Sequence, residues 1–70
     1  MNIEDLSNPQ IAEEIDKWIR GERNRKLLKR RLIDGICFEP LAEEFDLSVA
    51  RVKSIIYKEQ ERLFQKIEEE

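Results

Sequence analysis

Histidine is absent from this 70-residue chain, and cysteine appears once, at Cys37. Structural zinc sites draw on His and Cys sets, and triad-type nucleophilic catalysis needs an imidazole base, so both chemistries lose their usual donors. A single cysteine cannot close an internal disulfide, which points to a cytoplasmic setting. Glycine and proline occur twice each, and tryptophan and tyrosine once each. No apolar run approaches the ~20 residues that a bilayer span requires. The start Met1-Asn2-Ile3-Glu4-Asp5 lacks the basic and apolar regions of a secretory leader. These absences leave one small domain, with no membrane, cofactor, metal or small-molecule substrate expected, and a core near the lower size limit for independent folding.

Charge is what the chain has in quantity. Charged residues make up 41% of it, and 13 Lys+Arg against 16 Asp+Glu give a formal net charge of −3. That sum argues mildly against nucleic acid as a partner, but the order of the charges argues otherwise. Residues 1–16 hold five acids and no base, and residues 17–31 hold eight bases against Glu22. Residues 32–47 hold five acids again, and residues 48–58 carry Arg51, Lys53 and Lys58 unopposed. Five glutamates against Arg62 and Lys66 close the chain. Alternating blocks of this kind are either solvated helix faces or two basic surfaces separated by an acidic helix.

Neither repeats nor β-strand alternation appear, so the periodic segments read as helices and the fold class as all-α. Asn8 as cap and Pro9 in the first position open a helix over 9–20, striped by Ile11, Ile15, Trp18 and Ile19 and stopped by a left-handed Gly21. A second helix spans 22–34 to Gly35, with Leu27, Leu28, Leu32 and Ile33 inward and its basic residues outward. A third spans 38–45 with Pro40 in its first turn, where the missing N–H costs nothing. Asp46 tolerates the left-handed turn, and Ser48 caps a fourth helix over 48–67. Its stripe is Val52, Ile55, Ile56, Glu59/Gln60, Leu63 and Ile67, and at 1.5 Å per residue it measures ~30 Å.

Residues 38–57 thus have the spacing of a helix-turn-helix: a short helix with a small Ala42, a turn plugged by Leu47, and a second helix opened by Ser48. In such a unit the second helix lies in the DNA major groove. Arg and Lys there donate to guanine or phosphate, Ser pairs with either, and Val or Ala meets a thymine methyl. The candidate base-contacting residues are Val49, Ala50, Arg51, Lys53 and Ser54, with Tyr57 and Lys58 one turn further at the backbone. Arg23, Arg25, Lys26, Lys29 and Arg30 of the preceding helix are the remaining candidate phosphate contacts, against the alternative of a solvated face.

The run Leu32-Ile33-Asp34-Gly35-Ile36-Cys37-Phe38-Glu39-Pro40-Leu41-Ala42-Glu43-Glu44-Phe45-Asp46-Leu47-Ser48 resembles the helix-turn-helix of bacterial sigma-factor region four. It is also similar to small sigma-like regulators common in prophages, and residues 49–58 continue the likeness through the second helix. The resemblance spans about residues 24–67. It implies a four-helix helix-turn-helix domain with a long C-terminal recognition helix, reading a promoter −35 element, with the RNA polymerase β flap as a partner. The family's base-reading positions fall on Val49, Ala50, Lys53 and Ser54, with Arg51 beside them. Where primary sigma factors commonly place an Arg-Glu pair, this chain has Val49-Ala50, which points away from the standard −35 hexamer. Cys37 stands for the usual Thr or Ser cap, Pro40 stands for a Glu, and 70 residues leave no room for the other sigma regions.

The expected function is therefore sequence-specific binding of double-stranded DNA by a transcription regulator, without catalysis. Two alternatives stay open: a module that docks on RNA polymerase or a sigma partner without reading DNA, and a packaging or recombination accessory protein. Several residues have plainer readings. Trp18 belongs to the core stripe, Cys37 is an ordinary buried or capping residue, and Glu43 with Glu44 are solvated or paired across helices. Tyr57 and Phe64 widen the apolar surface of the last helix, to be covered by the first helix or by a second copy in a homodimer.

Overall fold

The computed structural model describes residues 5–69; residues 1–4, read above for leader character, and Glu70 of the acidic tail lie outside the described residues. Four helices follow one another: α1 (Asn8–Trp18), α2 (Glu22–Leu32), α3 (Phe38–Phe45) and α4 (Val49–Glu69). No strand occurs among the described residues, and no helix there is long and apolar enough to cross a membrane.

The start of α1 is set one residue earlier than the Asn8-Pro9 pair suggests. Ser7 is the N-cap: its Oγ accepts from the Gln10 amide at 3.4 Å, and its own amide donates to Gln10 Oε1 at 2.8 Å. An Asn8 cap would put Ile11 in the reciprocal position, where no side chain can answer. The end also differs. The helix stops at Trp18, and Ile19 turns to extended backbone (φ −97°, ψ 127°), which buries its side chain completely. Gly21 does not cap α1; its φ of +88° belongs to the lead-in to α2. Nothing lies within 4 Å of a Cβ placed there, so the backbone angle and not space requires glycine.

Helix α2 ends at Leu32, two residues short of the expected boundary, and Gly35 at φ +69° turns the chain toward α3. The amides of Asp34 and Ile36 close onto the carbonyls of Lys29 and Arg30. At the end of α3 the Asp46 amide donates to Glu43 O and the Leu47 amide to Ala42 O, the two bonds of a Schellman closure. Asp46 takes the left-handed conformation (φ 56°, ψ 48°) that glycine usually supplies. Ser48 then caps α4, its Oγ accepting the Arg51 amide at 3.1 Å. The helix begins at Val49 and runs to Glu69, beyond the expected 67.

The core is aliphatic. Ile11, Ile15 and Ile19 meet Leu27 and Leu28 of α2, Leu41 and Ala42 of α3, and Val52, Ile55, Ile56, Leu63 and Ile67 of α4. With 21 residues, α4 is about 32 Å long at 1.5 Å per residue, close to the longest dimension of the molecule, 34 Å. The other three helices pack along it. Trp18 and Phe64 are half-buried against the core. The Trp18 indole donates to Glu14 Oε2 at 2.8 Å, while Lys17 and Lys66 lie over its ring at 5.0 and 5.2 Å.

One core position is not apolar. Glu59 of α4 is only 6% exposed, and its Oε2 has no hydrogen-bond partner. The helical spacing that places it in the stripe with Ile55, Ile56 and Leu63 carries it inward despite its charge.

Candidate nucleic-acid interface

The turn between α3 and α4 is held from both sides, by the Schellman closure at Asp46 and the Ser48 cap, so the first turns of α4 are set against the body of the protein at a defined angle. There Ala50, Arg51, Lys53 and Ser54 are all exposed. Val49, expected at the base edges with them, is half-buried and packs against the core. Its position one residue past the cap points it partly along the same side as Val52, so part of its side chain supports the turn. One turn on, Tyr57 is 53% exposed and Lys58 is exposed as well.

The cations expected on α2 divide differently. Lys29 reaches Asp16 of α1 at 2.7 Å. Arg30 grips Glu44 of α3 with two bonds, 3.1 and 2.7 Å, and reaches Asp34 at 2.9 Å. The Arg25 Nε donates to the carbonyl of Ile19 at 2.6 Å, and Lys26 pairs with Glu22 at 3.5 Å. Only Arg23 bonds no further than its neighbour Asn24, at 3.3 Å. Four of the five expected phosphate contacts therefore already have partners within the protein. Glu44 is the cross-helix half of the Glu43/Glu44 pair. Of the α2 cations expected to face outward, Arg25, Lys29, Arg30 and Arg31 are half-buried. The order of charge blocks explains why: a basic helix flanked in sequence by acidic ones is flanked by them in space, and opposite charges meet.

Arg31 went unnoticed in the sequence as a site residue. Its guanidinium lies 4.3 Å from the centroid of the Phe38 ring, and its Nη1 donates to the Ile36 carbonyl at 3.1 Å. Lys53, from α4, lies 5.6 Å from the same centroid, and the Tyr57 ring meets Phe38 edge-on at 5.8 Å. Phe38, the first residue of α3, is thus a platform for two cations and a tyrosine. The signal was present in the spacing: Arg31 follows Leu27 and Leu28 by four and three positions, so it shares their inward direction. Cys37 takes the N-cap position of α3, is exposed, and makes no side-chain capping bond.

The surface that results is basic on both flanks of the N-terminal half of α4. Arg51, Lys53 and Lys58 form no ion pair among the described residues. No family model matches this chain, and neither a curated protein nor a solved structure does.

Proposed function

We propose that this chain binds double-stranded DNA through the N-terminal half of α4, as a small cytoplasmic transcription regulator of the sigma-region-four-like, prophage type. What carries the reading is one arrangement: a turn fixed at Asp46 and Ser48 that presents Ala50, Arg51, Lys53 and Ser54, exposed and free of acidic partners. Small and hydrogen-bonding side chains on the leading turn let the helix approach base edges closely, and the cations beside them attract phosphates. Tyr57, Lys58 and Arg23 extend the backbone contacts. Val49 supports the turn, and the bound α2 cations contribute field more than direct contacts. A domain of this size makes few base contacts, so a second copy or a partner protein is part of the proposal.

In vitro selection of duplexes by the purified chain tests this directly. The expected result is an enriched motif whose binding weakens steeply with salt, log K falling by about 0.9 per phosphate contacted. Absence of any retained duplex at roughly 50 mM salt sinks it.

A second reading, docking on RNA polymerase or a sigma partner without DNA readout, has one observation in its favour. Lys29 and Arg30 are neutralised by Asp16 and Glu44, which lowers the positive field beside α4, while Glu39 and Glu43 remain exposed on α3. Capture of polymerase together with loss of all duplex binding would select it.

A further inference from the structure

We propose that Arg31 and Lys53, gathered on Phe38, form a phosphate-holding station for one strand of the bound DNA, with Phe38 as the positioning residue. The inference rests on the DNA reading above and moves Lys53 from base readout to the sugar-phosphate backbone. The two cations come from different helices and meet one ring, at 4.3 Å for Arg31 and 5.6 Å for Lys53. The ring is held edge-on by Tyr57, which leans against it at 75°. No acidic side chain among the described residues pairs with either cation. Arg31 spends one of its five N–H donors on the Ile36 carbonyl and keeps the rest of its planar fork.

Two cations that share one ring and have no acidic partner leave positive charge uncompensated, and a diester phosphate supplies both the missing charge and acceptor oxygens that suit an Arg fork. The α2 cations show the contrast: where an acid is within reach, as for Lys29 and Arg30, the protein has paired them. Location decides for a DNA strand. At 100° per residue, Lys53 and Arg51 lie about 160° apart around α4, with Ala50 and Ser54 between them. A helix in the major groove has one phosphate strand along each flank. The Phe38 station meets one strand, and Lys58, on the flank beside Arg51, meets the other.

The test uses the full chain and a random-sequence duplex of about 20 base pairs, because the phosphate contribution is independent of sequence. Arg31→Gln should lower the salt slope by about 0.9 and weaken binding roughly tenfold near 50 mM salt. Arg20→Gln removes the same charge from an exposed site away from the ring and should change affinity less than about twofold, since it releases no bound phosphate. Phe38→Leu keeps every charge yet should lose the same slope as Arg31→Gln, which bulk electrostatics cannot mimic. Circular dichroism checks that each variant is folded; if Phe38→Leu is not, Arg31→Lys replaces it, keeping the charge while losing the stacked fork and part of the affinity. Equal behaviour of Arg31→Gln and Arg20→Gln, with the unaltered chain still binding, overturns the station and leaves the DNA reading intact. No binding by the unaltered chain overturns both, and an Arg31→Gln defect confined to polymerase capture overturns the station as a DNA contact.

Discussion

Arg30 of α2 and Glu44 of α3 are joined side by side, Nε to Oε2 at 3.1 Å and Nη2 to Oε1 at 2.7 Å, with Asp34 taking a third bond at 2.9 Å. The hydrogen bonds to Glu44, then to Asp34, raise the guanidinium above its ordinary pKa. While those carboxylates are charged, a raised guanidinium supports the folded state below the ordinary arginine pKa and loses that support as pH climbs through the raised value. Proton concentration is therefore no lever on Arg30 itself; its carboxylate partner is.

Glu44→Gln should free Arg30 for DNA. The expected outcome is tighter binding to random duplex and a salt slope steeper by about 0.9, for one added phosphate contact. Fluorescence anisotropy across a salt series measures both quantities. An unchanged slope would mean that Arg30 is purely a brace between α2 and α3.

Arg51→Ala separates recognition from folding. The Ser48 cap uses the Arg51 amide, not its side chain, so stability should hold. Binding to a selected duplex should fall by about 1–3 kcal/mol if the side chain reads a base, with preference relaxed at one position. Equal affinity of the variant and the unaltered chain would remove α4 from the proposed interface.

Asp46 governs the angle of α4. At φ 56° a Cβ is strained, and Asp bears this better than most residues. Asp46→Gly should be neutral or stabilising, whereas Asp46→Val should cost about 1–2 kcal/mol, which lowers Tm by roughly 4–8 °C per kcal/mol in a domain of this size. Urea unfolding of the three proteins ranks them, and a valine variant as stable as glycine contradicts the strain argument.

Glu59 holds a carboxylate oxygen without a partner at a buried position of the α4 stripe. Replacement by Leu, close in volume, removes that desolvation penalty and should raise stability by about 1–3 kcal/mol. Thermal melting checks it. A lower Tm would show that the carboxylate is held by an interaction worth more than its burial costs.

Much of the architecture was legible in the residues themselves. Apolar steps of three and four defined four helices, and Asp46 with Ser48 marked the turn by local chemistry that needs no distant partner. Helix ends were less so: Ser7 displaced Asn8 as the cap because of Gln10, and α1 closed at Trp18 with Ile19 extended and buried. For the interface, the exposed first turn of α4 could be read from the stripe alone, apart from Val49.

What composition and order determined was the helical class, the turn, and a string of charge blocks adding to −3. What only the tertiary structure decided was which charges cancel. Lys29 and Arg30 meet Asp16 and Glu44 because α2 lies between the acidic helices, while Arg31 and Lys53 meet a ring instead of an acid. Coulomb attraction is set by distance in space, and no sum or sequence order contains the separation between residues thirteen, fourteen or twenty-two positions apart.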